Sequence, residues 1–325
     1  MNIRNPSPSL RWSILRLVFG LFAPAVAFLL CAQTAPAAAP TVLFIGNSFT
    51  YGANSPVRFY RAHTVTDLND EGTGGVPALF KAFVTQAGRD YAVSLETSSG
   101  KNFDFHVQTK AAVIGRAWDL VVMHGYSTLD QKNPGNPALL LKSGQELAAL
   151  LRGKNPQADI RLVSTWSRAD QTYPEKTPWH GQPIEKMAID VRAGYELLAA
   201  TSPSFHAVIP VGEAWNRAFA IGFADPNPYD GIAAGQIDLW SYDHYHASTF
   251  GYYLSALMIF GDLTGLDPRS LGRTERTAFE LGLSADQAAT LQKIAYNELT
   301  ATKGRAPLIT FSPVALPHWH RTNSS

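Results

Sequence analysis

The chain has 325 residues, 46% of them hydrophobic and 16% charged, the profile of a folded protein with a sizeable core. Its formal net charge is only +1, which leaves no electrostatic footprint for nucleic acid or an anionic membrane surface. One cysteine, Cys31, excludes an internal disulfide framework.

Arg4, Arg11 and Arg16 precede an uncharged run from Leu17 to Ala32, and small residues follow, among them Ala35-Pro36-Ala37. A positive flank, a short apolar run and an A-x-A site predict a secretory signal peptide over residues 1–37, cleaved after Ala37. The run is short for a membrane anchor and is interrupted by Pro24. Phe28-Leu29-Leu30 lacks the small residues that a lipoprotein signature places before its cysteine. The expectation is export to the periplasm or the medium, without lipidation and without stable membrane insertion after cleavage. The leader removes three Arg and no acid, leaving 24 basic against 26 acidic residues and a net charge of −2. Cys31 leaves with it, so disulfide and thiol chemistry are not expected of the mature chain.

Residues 38–325 read as one α/β domain with no internal repeat and no long linker. Strands are predicted at Val42–Ile45, Tyr91–Thr97, Leu120–Met123, Ile160–Thr165 and Ala207–Val211. Helical patterns fall between them, at Val76–Ala87, Asp104–Ile114, Ala138–Leu151 and Ile184–Ala200, with two more at Ser248–Leu263 and Ala285–Leu299. Strands alternating with helices imply a mainly parallel, five-stranded sheet covered on both faces.

Val42-Leu43-Phe44-Ile45 is an unbroken apolar run, as a strand buried on both faces requires, and it stops at Gly46-Asn47-Ser48. Ligands of open α/β sheets bind beyond the carboxyl ends of the strands, so Ser48 is placed either to act as a nucleophile or to cap the following turn. Asn54 to Gly75 is a long polar interval whose acids fit no calcium loop, and it is expected to be a solvated surface loop. The second strand ends at Ser98-Ser99-Gly100, where a glycine either turns the chain or lets a backbone N–H approach a substrate. Trp166, Trp215 and Tyr245 fall in or near predicted loops at carboxyl ends of strands. Aromatic faces there either suit sugar rings or the apolar part of an ester, as a substrate rim, or simply pack the loops onto the domain.

Asp243-His244-Tyr245-His246 supplies an acid and a histidine three apart, which can meet on one helical turn and fix the imidazole in one tautomer. A serine nucleophile needs such a base and such an orienter. His244 and His246 could instead ligate a metal with His318 or His320, but no third and fourth partner stands at recognisable spacing, and no metal is expected. The serine also differs from the Gly-x-Ser-x-Gly elbow of α/β-hydrolases, since Thr50 occupies the last position.

Gly46-Asn47-Ser48 closing the first strand, with Asp243-x-x-His246 followed five residues later by Gly251, resembles the SGNH (GDSL-type) hydrolases. The resemblance implies a flavodoxin-like three-layer α/β/α sandwich and a serine esterase without a cofactor, which the leader makes a secreted one. Beside the shorter loop of compact family members, residues 54–75 read as an insertion next to the active site. It makes Ser48 the nucleophile, His246 the base and Asp243 its orienter, and gives the backbone N–H groups of Ser48 and Gly100 to the oxyanion hole. The family also carries Gly-x-Asn-Asp after the third strand. Here Gly125 matches but Ser127 stands at the Asn position, so Ser127 Oγ–H or a ring N–H of His124 would have to donate. The implied substrate is a small-molecule or polysaccharide ester, and the export signal together with the aromatics at the expected rim makes O-acetylated carbohydrate the preferred class. A non-catalytic carbohydrate-binding protein on the same scaffold is the alternative.

Overall fold

The computed structural model describes residues 38–303. The signal-peptide reading, with Cys31 and the cleavage after Ala37, lies outside the described residues, as do His318 and His320.

The chain runs β1 (Thr41–Gly46), α1 (Ser48–Tyr51), β2 (Thr66–Asp67), α2 (Gly75–Gln86), β3 (Ala92–Thr97), α3 (Phe103–Thr109), α4 (Ala111–Ile114), β4 (Leu120–Met123), α5 (Ala138–Arg152) and β5 (Asp159–Ser164). It continues with α6 (Glu185–Ala200), β6 (Phe205–Pro210), α7 (Val211–Ala220), α8 (Thr249–Thr264), α9 (Arg276–Glu280) and α10 (Ala285–Lys303). The strands form one parallel sheet in the order β2-β3-β1-β4-β5-β6. The α/β class and parallel sheet are as expected, but the sheet has six strands rather than five.

Alternation along β1 shows why its run is continuous. Val42 and Phe44 face one core with α2, α7, α8 and α10, whereas Leu43 and Ile45 face the other with α3, α5 and α6. The helix that follows β1 thus covers one face and the helix that follows β4 covers the other. The covering helices change face between β1 and β4, the kind of switch point beyond whose carboxyl ends ligands of such sheets bind.

Three expectations are corrected. The interval 54–75 is not a bare solvated loop: it holds the two-residue edge strand β2 and the buried Val57 and Thr73. Its acid Asp67 is structural, accepting from the backbone N–H of Asn69, Glu71 and Thr73 at 3.0–3.1 Å. The expected helix Asp104–Ile114 breaks at Lys110 into α3 and α4. Val211 begins the unexpected helix α7 instead of ending a strand, because Pro210 closes β6 and leads directly into it.

Candidate active site

β1 delivers the chain to Gly46, where a side chain is impossible: a Cβ would lie 2.1 Å from Thr50 Oγ1 and 2.7 Å from His124 Nε2. Asn47 then organises the turn. Its Oδ1 accepts from Phe49 N–H at 3.1 Å, capping α1, and its Nδ2 donates to Lys101 O and Gly125 O at 3.1 and 3.0 Å. One carboxamide thereby joins the segments that follow β1, β3 and β4. Ser48 is the first residue of α1 and is 3% exposed.

The last block is not helical. Asp243 and His246 lie in a bend before α8, and the carboxylate gathers the chain around itself. Asp243 Oδ1 accepts from the backbone N–H of Tyr245 at 3.2 Å and of His246 at 2.9 Å. Asp243 Oδ2 accepts from His246 Nδ1 at 2.6 Å. Burial works to raise the Asp243 carboxyl, but the hydrogen bonds from the His246 ring and the two backbone N–H groups outweigh it and hold it below the usual carboxylate value. With Nδ1–H committed to the carboxylate, Nε2 carries the lone pair, and that atom is buried with no hydrogen-bond partner among the described residues. His244 has a left-handed backbone, φ 54°, and lays its ring 4.4 Å from that of Tyr229.

Several contacts bring Ser48 and this block together. Phe49 sits edge-on to the His246 ring, with centroids 5.7 Å apart. Tyr252 of α8 donates its hydroxyl to Ala53 O at 3.0 Å and to Ser48 O at 3.4 Å. Asn54 Nδ2 donates to Asp243 Oδ2 at 2.7 Å. No hydrogen bond joins Ser48 Oγ to His246 Nε2 among the described residues; such bonds often tighten only in the reacting complex.

Of the residues expected at an oxyanion hole, Gly100 has φ +63° with open space where a Cβ would stand, so backbone conformation rather than crowding calls for glycine. Ser127 is buried, and its Oγ accepts from Arg168 Nη1 at 3.3 Å. Arg168 is itself held by Asp170 through Nε and Nη2, at 2.9 and 2.5 Å, and lies 3.6 Å over the Tyr245 ring. The expectation that His124 could donate here is corrected. Its Nδ1 donates to Gly125 O at 3.0 Å, so its Nε2 accepts from Thr50 Oγ1 at 2.7 Å, and no ring N–H is left over. Burial lowers the His124 pKa to about 4, so the ring is neutral at pH 7.

Trp166 and Trp215, expected at a substrate rim, are also corrected: they are 2% and 0% exposed. After β5 the chain turns inward, and Trp166 is sandwiched between Phe49 at 4.0 Å and Trp215 at 4.8 Å, both nearly parallel to it. Trp166 Nε1 donates to Tyr245 O at 3.2 Å, so this stack is a floor that supports the last block. Tyr245 stays partly exposed beside His246, 4.1 Å between rings. Two open cavities, of about 440 Å³ beside Leu129 and Trp179 and about 540 Å³ beside Arg61 and Lys81, are lined by neither Ser48 nor His246.

Sequence reasoning missed Asn54 and Arg168. Asn54 follows Gly52-Ala53 at φ 59°, a conformation Asn tolerates, but only the fold shows where its side chain goes. Among the described residues, no group of three or more His, Cys, Asp or Glu is set to hold a metal ion, and no helix is long and apolar enough to cross a membrane.

No family model and no curated protein matches this chain. Among solved structures it is similar to a DUF4886 family protein from Bacteroides uniformis, at 18% identity and TM-score 0.56, covering 83% of this chain and 98% of that one. A proposed SGNH hydrolase from Slackia heliotrinireducens superposes at TM-score 0.46 and 20% identity, over 70% of this chain and 100% of that one. A family 3 carbohydrate esterase from Clostridium thermocellum does so at 0.44 and 13%, over 69% and 94%. At these identities the likeness is one of fold.

Proposed function

We propose that the chain is a serine esterase. The observation that carries this is the 2.6 Å bond between Asp243 and His246 Nδ1, which leaves Nε2 as the basic atom in the segment packed against Ser48. Ser48 Oγ attacks the ester carbonyl while His246 Nε2 takes its proton. His246 then returns that proton to the departing alcohol, leaving an acyl-serine. Water, deprotonated by the same nitrogen, hydrolyses the acyl-enzyme and regenerates Ser48. Asp243 holds the ring in one tautomer and stabilises the imidazolium. The oxyanion forms among Ser48 N–H, Gly100 N–H and the Ser127 hydroxyl. The acyl group rides on the protein, so the chemistry needs no cofactor.

Ser48 is only 3% exposed, and on that enclosure we propose a short acyl group such as acetyl. With Trp166 and Trp215 in the core, only Tyr245 of the three expected aromatics remains to meet an alcohol portion. O-acetylated carbohydrate stays our proposed substrate class on the strength of that ring and of the leader. The leader assigns the protein to the periplasm or the medium.

The test uses protein recovered from the exported fraction, whose first residue should be Ala38. Hydrolysis of p-nitrophenyl esters from acetate to palmitate should be fastest with acetate. Ser48→Ala should lower kcat by on the order of a million-fold with the fold intact. Wild-type turnover in folded Ser48→Ala removes Ser48 from the mechanism. Sugar binding without any ester turnover would favour the binding-protein alternative.

A further inference from the structure

We infer that Asn54 is a positioning residue for the Asp243–His246 pair, an inference that rests on the esterase reading. Asn54 Nδ2 donates to Asp243 Oδ2 at 2.7 Å, the same oxygen that accepts from His246 Nδ1 at 2.6 Å, and it lies 3.3 Å from that Nδ1. The two oxygens of a carboxylate offer about four lone-pair sites. Here four donors fill them: backbone N–H groups of Tyr245 and His246 on Oδ1, the imidazole and Asn54 on Oδ2. The carboxylate cannot rotate about its Cβ–Cγ bond without breaking several of these bonds at once. Its direction fixes that of the imidazole and hence of Nε2.

Asn54 belongs to the serine's own segment, six residues after Ser48, so its bond also sets the distance between nucleophile and base segments. A second clamp works on its backbone: Ser241 Oγ donates to Asn54 O at 3.0 Å, two residues before Asp243. The left-handed backbone at φ 59° aims the side chain across this gap, a conformation open to Asn and Gly and strained for most other residues. Asn54 is exposed, so water competes for the bond. Its value lies in orientation, and little of the protein's stability depends on it.

Two variants and one background test this. Asn54→Gly keeps the backbone and removes the carboxamide; Asn54→Asp keeps the shape but sets a second carboxylate against Asp243. Asn54→Gly should lower kcat roughly ten- to a hundred-fold, with KM within about twofold, as a misdirected catalytic group does. Asn54→Asp should lower it further, whereas a purely structural role would make this isosteric change the milder one. Thermal unfolding should stay near wild type for both. In an Asp243→Asn background, Asn54→Gly should cost little more, since residues acting as one unit are not additive. The downfield Nδ1–H proton resonance of His246 reports on the pair without turnover and should move in Asn54→Gly. Equal kcat losses in both backgrounds, or an unmoved resonance, overturn the inference. If the resonance moves while wild type shows no Ser48-dependent turnover, the positioning role stands and the esterase reading falls.

Discussion

Ser127 Oγ accepts a hydrogen bond from Arg168, so its own proton is free to point elsewhere, and a developing oxyanion is the acceptor we assign to it. The expected effect of Ser127→Ala is a fall in kcat with little change in KM, the mark of an interaction made in the transition state. A hydroxyl reaches less far than an amide, so the loss should be smaller than the roughly hundred-fold or more of an ideal side-chain donor. Steady-state kinetics on acetate esters reads this directly. Silence at Ser127→Ala would leave the hole to backbone N–H groups alone, since both His124 nitrogens are engaged. At this scale the motif made Ser48, Asp243 and His246 candidates, because their types and spacing are written in short segments. Asn54 and Arg168 carried no such mark: each is an ordinary polar residue until the fold gives it a partner 189 or 41 positions away.

Helix α8 shows what a motif glycine does for an element. A Cβ at Gly251 would stand 2.4 Å from Trp215 Cζ2 and 2.5 Å from Leu239 O. Glycine there lets the first turn of α8 press against α7 and the chain before the last block, with Ser248 capping it through Gly251 N–H at 3.4 Å. Gly251→Ala gains about 1 kcal/mol of helix propensity, but overpacking against a ring and a backbone oxygen costs typically 1–3 kcal/mol. Overpacking should win, and urea unfolding should show a net loss. A variant as stable as wild type would mean that α8 can slide away from Trp215. The element expectations failed where tertiary contacts outrank local pattern. Val211 fits a strand by composition, yet Pro210 and the packing of Val211, Ala214 and Trp215 make it the start of α7.

Over the whole molecule, one carboxyl should leave a trace in the pH dependence of stability. Glu213 on α7 has Oε1 on Arg192 Nη1 at 3.2 Å, while its Oε2 is buried without a hydrogen-bond partner among the described residues. Burial raises its pKa from 4.5 to about 7, against the attraction of Arg192. The folded state therefore binds the proton more tightly than the unfolded chain. Its stabilising share is intact below about pH 4.5 and is lost as pH rises through about 7. Glu213→Gln keeps the shape and cannot ionise, and Arg192 retains Glu196 Oε1 at 2.7 Å. Its stability relative to wild type should grow from little at pH 4 to roughly 1–3 kcal/mol at pH 8, followed by thermal unfolding across that range. A difference that does not change with pH would show that Glu213 titrates alike in the folded and unfolded chains, with no shift from burial.

By itself the sequence determined what neighbouring residues settle among themselves. A continuous apolar run ended by glycine makes a doubly buried strand, and an acid three residues before a histidine can reach its ring. Such features need only short stretches of backbone, so their physics is local. The tertiary structure decided whatever depends on what lies across the sheet. It sent Trp166 and Trp215 into a stacked floor instead of a rim, because an aromatic ring is buried or exposed according to the segment that covers it. It used up both nitrogens of His124 through Thr50 and Gly125. It brought Asn54 onto Asp243, completing the set of donors around that carboxylate. These pairings form only when β1, the segment after it and the last block are packed together, and no window of sequence contains both partners.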